Sequence, residues 1–400
     1  MNRLVSFFAR QTRKLIRRSK PDKYRTVVSL ESDHARRGRV LLSYLIDAFL
    51  LPPGQALPNE HTNYWEALQI AATFLDLGYC VDVISHRNNL FVPGRRYDFF
   101  IDIRWNMQRL SGQLNPDCIK IAHLDTAHIL FHTTAEMNRL LALQRRRGVT
   151  LLPRRLERPN LGIEHADFAT LLGNDFTAST YAYAHKPIYR IPISTPVLYP
   201  CPEEKDFDAC RHRFLWLGSR GMVHKGLDLL LEAFTRMPEC HLTVCGPVRD
   251  EPDFENAYHD ELYSSPNIDV HGWTDIAGDA FRELVNTSVG LVYASCSEGQ
   301  SGAVLSCMHA GLIPIVSRES GVDVDAAFGL VLRTSSIEEI CEAVKAITTL
   351  PAERLREMAH AAWIFARTHH TRDKFAEVYR SAIEIGRAHG LNSSHVSQSR

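Results

Sequence analysis

The sequence predicts an α/β protein built from two doubly wound domains that face each other across a cleft. Three observations predict it. The chain has 400 residues, more than a single hydrophobic core usually organises. Short apolar runs of strand length alternate with stretches of helix length, the pattern of a mostly parallel sheet covered on both faces. A proline-rich break at 187–210 separates two halves that each restart this pattern.

In the first half, Val40–Ile46 reads as a buried strand, followed by a loop carrying Pro52, Pro53, Gly54 and Pro58. Leu68, Ala71, Ala72 and Leu75 recur at intervals of three or four, so 62–77 reads as a helix that Gly78 ends. Val81–Ile84, Phe99–Ile103 and Cys118–Ala122 read as strands. Ala135–Leu143 reads as a helix whose C-terminal end is favoured by Arg145, Arg146 and Arg147. In the second half, strands are expected at Phe214–Leu217, His241–Cys245, Asn267–Val270, Val289–Tyr293, Ile313–Val316 and Gly329–Leu332. Helical stripes run through Leu227–Phe234, Ala280–Val285, Val304–Met308 and Ile337–Ile347. Residues 351–385 read as helical throughout, and the last residues are polar and unpatterned. The expected division is a basic leader at 1–30, a first domain at 31–200 and a second at 211–350. C-terminal helices at 351–388 and a disordered tail at 389–400 complete it.

Composition narrows the function classes. Hydrophobic residues make up 45% of the chain, and Lys plus Arg (46) balance Asp plus Glu (46). No overall field draws this protein to nucleic acid. The charge is local: residues 1–25 hold nine Lys and Arg against Asp22 alone. Interspersed Leu4, Phe8 and Leu15 would give a helix there an apolar face, which suits contact with an anionic membrane surface. A solvated basic leader is the other reading. No signal peptide and no transmembrane stretch is evident. Nine cysteines without a C-x-x-C pair read as buried thiols of a reducing, cytoplasmic compartment.

Two constellations carry chemistry. Gly218, Ser219, Arg220, Lys225 and Gly226 follow the first strand of the second domain and run into a helix. Backbone N–H groups, a helix start and two cations are what a diphosphate needs. Neither a P-loop nor a G-x-G-x-x-G fingerprint is present. The second is Glu298-Gly299-Gln300-Ser301-Gly302, on the strand-to-helix corner after Val289–Tyr293. Its glycines permit close backbone approach to a ligand, and Glu298 can accept hydrogen bonds from sugar hydroxyls. In the first half, His123 ends the Ile119–Ala122 run in A-H-L-D, with Asp125 beyond it. His61, Tyr64 and Arg104 are candidates for the acceptor side. His128 and His132 follow, but without H-E-x-x-H no metal is assigned. Trp216 and Trp363 read as packing residues.

On these residues the C-terminal half resembles the retaining glycosyltransferases of the family 4 type, the glycosyl transferases group 1. The pattern G-x-R followed by K-G and the stretch from Ser297 to Val316 carry the resemblance. It implies the GT-B architecture of two Rossmann-like domains. It implies a nucleoside diphosphate sugar as donor substrate, no separate cofactor, and a glycan or lipid-linked acceptor; the basic leader fits a lipid-linked or envelope-polysaccharide acceptor at the inner membrane face, as in polysaccharide biosynthesis. It assigns Arg220 and Lys225 to the donor diphosphate, with Glu298 at the sugar and Gly299–Gly302 as backbone donors. Gly272 and Trp273 would flank the nucleobase, and His123 would stand near the transferred sugar. It also implies a last helix that returns to the first domain.

Two departures stand out. The family's second glutamate is replaced by Ser306, which cannot act as an ionised bidentate acceptor for ribose. The glycine-rich loop after the first strand gives way to the bulkier Asn59–Trp65. Two other readings stay open: a nucleotide-sugar 2-epimerase on the same fold, and a catalytically weak nucleotide-sugar-binding protein. The oligomeric state is not legible.

Overall fold

The structure is a computed structural model that describes residues 22–52, 54–59 and 61–397. The leader at 1–21 and Glu60 lie outside the described residues, and so does the membrane contact expected of the leader.

The first domain is a seven-stranded sheet. Its strands are β1 (Val27–Leu30), β2 (Gly38–Tyr44), β3 (Tyr79–Ser85), β4 (Phe99–Asp102), β5 (Ile119–Leu124), β6 (Phe168–Leu172) and β7 (Ile188–Ile191). They lie in the order β1-β3-β2-β4-β5-β6-β7. All pairs are parallel except the antiparallel edge β1–β3. The side-chain period of two splits each strand between two cores. Val40, Leu42, Phe99 and Ile101 pack on one face, Leu41 and Phe100 on the other. Helix α1 (Asn63–Asp76) covers the first face and ends at Gly78, whose φ of +89° suits glycine. Helix α2 (Met107–Ser111) covers the second, and α3 (Ile129–Arg147) follows β5.

The second domain is an all-parallel six-stranded sheet of β8 (Arg213–Leu217), β9 (His241–Cys245), β10 (Ile268–Gly272), β11 (Gly290–Tyr293), β12 (Ile313–Ser317) and β13 (Leu330–Leu332). The order is β10-β9-β8-β11-β12-β13. Strand order therefore reverses between β8 and β11, the point where doubly wound sheets bind ligands. In the first domain the parallel strands reverse between β2 and β4. The ends of these two switch points face each other and make the cleft, as the sequence predicts.

Four expectations on the layout need correction. The 187–210 break is not all linker, because 188–191 forms the sheet edge β7. Its prolines sit just outside the strand, where no ladder hydrogen bond is lost. Helix α3 is longer than its apolar stripe. Its C-terminal half reaches the second domain: Leu140 and Leu143 join that domain's core, and Arg146 and Arg147 form ion pairs with its Asp228, Glu232 and Glu261. The helix from 351 is interrupted: Ala352–His369 and Arg372–Ser397 are separate. At the break the His370 ring lies 3.2 Å from the Ile193 carbonyl oxygen on the other crossover strand. The second of these helices continues to Ser397, into the span expected as a tail, and 398–400 lie outside the described residues.

That last helix packs against α1, β6 and β7 of the first domain. Phe375, Tyr379, Ala382 and Ile383 are buried in the first domain's core. Burying such side chains stabilises the docking by roughly 2 kcal/mol for each aromatic.

Candidate functional site

The cleft holds a cavity of about 690 Å³ between the domains. From the second domain, Gly218, Ser219, Lys225, Trp273, Glu298, Gln300, Ser301, Gly302 and Ser306 reach it. From the first come His61, Arg104, Asp125 and Arg155, among others.

Local chemistry explains how the second domain builds its side. Trp216 on β8 is fully buried, and Gly218 and Gly246 pass so close to its ring that neither position has room for a Cβ. Its indole Nε1 donates to the Lys225 carbonyl at 3.3 Å. Gly226 takes φ +78° and lies against the Ala294 backbone, which leaves no space for a side chain. The K-G pair therefore brings the Lys225 loop onto the end of β11. There Lys225 Nζ donates to Glu298 Oε1 at 2.8 Å and to the Tyr293 hydroxyl at 2.9 Å. Tyr293 and Ser295 also donate to Glu298 Oε1, at 2.9 and 3.2 Å.

Burial opposes both charges of this pair. For Glu298 the neighbouring Lys225 and Arg155 outweigh burial and hold the carboxyl far below its ordinary range. For Lys225 burial dominates and lowers its value, while Glu298 works the other way. Next to the pair, helix Gly302–His309 begins at the cavity, which Gly302 and Ala303 line. Ser301 Oγ accepts from Val304 N, and a Cβ on Gly302 would meet nothing within 4 Å. An open helix N-terminus beside a lysine is an anion site.

Five sequence candidates lie away from the cavity: Arg220, His123, Gly299, Gly272 and Tyr64. Arg220 is 73% exposed in its side chain and points toward Asp250 at 3.7 Å. The cause is next to it: Gly221 has φ +95°, and its N–H and that of Met222 donate to the Glu251 carboxylate at 2.5 and 3.2 Å. This turn sends Arg220 outward. The Arg155 stem from the first domain lies over Gly221 instead, and Arg155 lines the cleft.

His123 is fully buried between Tyr44 and Tyr379, with Nδ1 2.8 Å from Thr170 Oγ1. Burial lowers its pKa to about 4, so it is a neutral core residue. Asp125, two residues on, reaches the cleft in its place. Gly299 does not line the cavity either. It presses against the Asp125 and Leu172 backbone, and its carbonyl accepts from Thr177 Oγ1 at 3.2 Å, so it closes the domain boundary.

Other candidates divide. Trp273 lines the cavity and is 57% exposed, whereas Gly272, at φ +74°, turns the chain behind it. Gln300 lines the cavity but its Oε1 is used by the Ile193 N–H at 2.8 Å. Ser306 lines it and is buried. Tyr64 packs against the core of the first domain, while His61 and Arg104 reach the cleft.

The residues that sequence reading missed are Arg155 and Tyr293, and Asp125 was passed over for His123. Arg155 is held by Glu136, whose carboxylate accepts from the N–H groups of Arg154 and Arg155 at 2.8–3.0 Å. The available signal was a run of three arginines between Pro153 and Pro159. Asp125 is bidentate with Arg104 at 2.8 and 3.3 Å, and Arg104 also pairs with Glu157. Burial would raise the Asp125 carboxyl, but Arg104 outweighs it and keeps it ionised. Behind the cleft the His132 and His224 rings lie 4.8 Å apart, tilted by 46°, and meet Ser297 from both domains. Burial lowers both imidazoles, so this seam is uncharged.

Among the described residues, no three His, Cys, Asp or Glu side chains are grouped as a metal site needs, and no helix is long and apolar enough to cross a membrane.

Residues 211–349 match the family model of the glycosyl transferases group 1. No curated protein matches the chain. Several solved structures share its fold. Sucrose-phosphate synthase from Thermosynechococcus elongatus superposes with a TM-score of 0.60 at 13% identity, covering 88% of this chain and 100% of that one. Anabaena HepE in complex with UDP and glucose gives 0.54 at 11% identity, covering 87% and 99%. A mutant of S. aureus TarM in complex with fondaparinux, α-GlcNAc-glycerol and UDP gives 0.52 at 11% identity, covering 79% of this chain and 58% of TarM. The chain thus spans a little over half of TarM's length. Across these relatives and its own two switch-point sheets, the protein is a GT-B fold whose second domain matches the glycosyl transferases group 1.

Proposed function

We propose that the protein is a glycosyltransferase that moves a sugar from a nucleoside diphosphate sugar to a glycan or lipid-linked acceptor, with retention of anomeric configuration. One observation carries it: Lys225 and Glu298, from the two loops of the switch point, pair at the floor of the cleft beside the open N-terminus of helix Gly302–His309. A lysine and helix N–H groups suit the diphosphate, and an ionised carboxylate beside them suits sugar hydroxyls. The family match over this domain supports the same reading, and so do the UDP complexes of HepE and TarM.

In the proposed reaction, the bond from the anomeric carbon to the diphosphate oxygen breaks as the acceptor oxygen bonds that carbon from the same face. Negative charge grows on the leaving diphosphate. Lys225 and the N–H groups of Ser219, Gly302 and Ala303 stand where it grows. Arg155, contributed by the opposite domain, adds a cation only when the domains are closed. The leaving phosphate takes the acceptor proton, so no side chain need be a base. This agrees with Asp125 and Glu298, each held ionised by a cation and poorly suited to proton relay near neutrality. Trp273 flanks the base, and Ser306 offers the ribose one hydrogen bond.

The experiment is a product analysis with a panel of nucleoside diphosphate sugars and glycan or lipid-linked acceptors. Transfer with an anomeric NMR signal of the donor's own configuration is the expected result. An inverted product refutes retention. An epimerised donor points to the 2-epimerase, and donor binding without turnover to a binding protein.

A further inference from the structure

A second cavity of about 430 Å³ opens beside the donor cleft on the first domain, and the two share His86, Arg87 and Arg104. It sits at the ends of β3 and β4 and is closed by the 158–160 loop. Four arginines line it: Arg87, Arg104, Arg109 and Arg158. Among its lining residues there is no Asp or Glu.

The four are not equivalent. Arg104 is neutralised by Asp125 and Glu157. Arg109 is fixed by neutral acceptors, the carbonyls of Asn88 and Phe91 and the Asn106 side chain. Arg87 and Arg158 have no carboxylate partner among the described residues. Both lie over the Trp105 ring, at 5.8 and 4.9 Å. Behind them the buried Asp102 accepts through Oδ2 from the N–H groups of Asn106 and Met107 at 2.8 and 2.7 Å. The Trp105 Nε1 is buried with no protein partner. An aromatic ring that pre-orders two guanidiniums lowers the entropy lost when an anion binds between them.

We infer that this cavity binds the acceptor, and that the acceptor carries a phosphoryl group there. The inference rests on the proposed transfer reaction and adds the acceptor's chemical class. A carboxylate has two coplanar oxygens and is satisfied by one arginine fork. A phosphoryl group offers three terminal oxygens and more charge, and so can be gripped from several sides at once. The shared wall with the donor cleft places the group bonded to that phosphoryl next to the donor sugar.

The test titrates inorganic pyrophosphate into the full chain under saturating UDP, reading heat and tryptophan fluorescence. UDP binding alone is measured first. Its absence counts against the donor reading and leaves the cavity to be tested by titrating pyrophosphate into Lys225→Ala without UDP. One pyrophosphate event is expected to survive UDP saturation. It should weaken at least tenfold in Arg87→Gln/Arg158→Gln, and in Arg158→Gln, which does not line the donor cleft, UDP affinity should stay unchanged. Trp105→Phe should remove its fluorescence change. Glucuronate, which carries one carboxylate, should bind at least tenfold more weakly. No event beyond UDP overturns the inference, as does an event equal in the double variant. Glucuronate binding as tight as pyrophosphate overturns the phosphoryl assignment.

Discussion

The two walls of the cleft are built by different means. The wall from the second domain comes from the loops after β8, β10 and β11, and much of what it offers is backbone: glycine-shaped approaches at 218 and 226, a helix start at Gly302, and one lysine–glutamate pair. The wall from the first domain comes from five separated loops carrying His61, His86, Arg104, Asp125 and Arg155, and offers long, charged side chains. A backbone cradle suits a group common to all donors, the diphosphate. Scattered side chains can be exchanged one at a time, which suits an acceptor that differs from one enzyme to the next.

The sharpest way to break this comparison is within one loop. Lys225→Ala is expected to lower kcat/KM by roughly 10²–10³-fold, the size expected for losing a donor aimed at developing charge. Arg220→Ala, five residues earlier, should stay within about twofold because its side chain faces solvent. Steady-state kinetics on both variants decides it, and equal losses would mean that the loop rearranges around the donor.

On the opposite wall, Asp125→Asn removes one of the two charges that neutralise Arg104 while preserving shape. Transfer should fall by about tenfold or more, with donor affinity unchanged, if this wall serves the acceptor and not the nucleotide. Single-turnover kinetics beside donor titration separates the two.

The first wall also stands on a buried carboxylate. Glu66 on α1 is fully buried and accepts from Ser194 N and Oγ at 2.9 and 3.0 Å, where the chain crosses between domains. Burial raises its pKa to about 7. The folded form therefore holds a proton that the unfolded chain releases near pH 4.3, so stability falls as pH rises through that window and the loss is complete above about pH 7. The full effect is roughly 3 kcal/mol by linkage. Glu66→Gln should be the more stable protein at pH 8 and should flatten the decline in Tm between pH 5 and 8.

The smallest effect belongs to the nucleotide wall. Ser306→Ala should raise the donor KM by only about two- to threefold, one neutral hydrogen bond's worth. A larger change in calorimetric donor affinity would show that Ser306 does more for the ribose than one such bond.

Much of the architecture was legible because it rests on local rules. Strand-length apolar runs, a period of 3.6 in α1 and glycines at 78, 218 and 226 each signal their own geometry. Strands β1, β6 and β7 were not read from the sequence: β6 is a buried apolar run that was passed over, and β7 is short, half-buried and next to prolines.

The site divides along the same line. Lys225, Glu298 and Gly302 lie within a few residues of the glycines that aim them, so spacing along the chain was enough to bring them to one place. The direction of Arg220 depended on Glu251, thirty residues away, which ties down the turn at Gly221. The face of β5 that became core was decided by Tyr379, whose helix buries His123 from the far end of the chain and leaves Asp125 for the cleft. Arg155 reaches the second domain's loop only because Glu136 on α3 ties down its backbone. Residue order determined the fold class and the phosphate-facing loops, since short-range backbone geometry makes them. Tertiary packing alone chose which charged side chains face the ligand, because each of those choices depends on a partner distant in sequence.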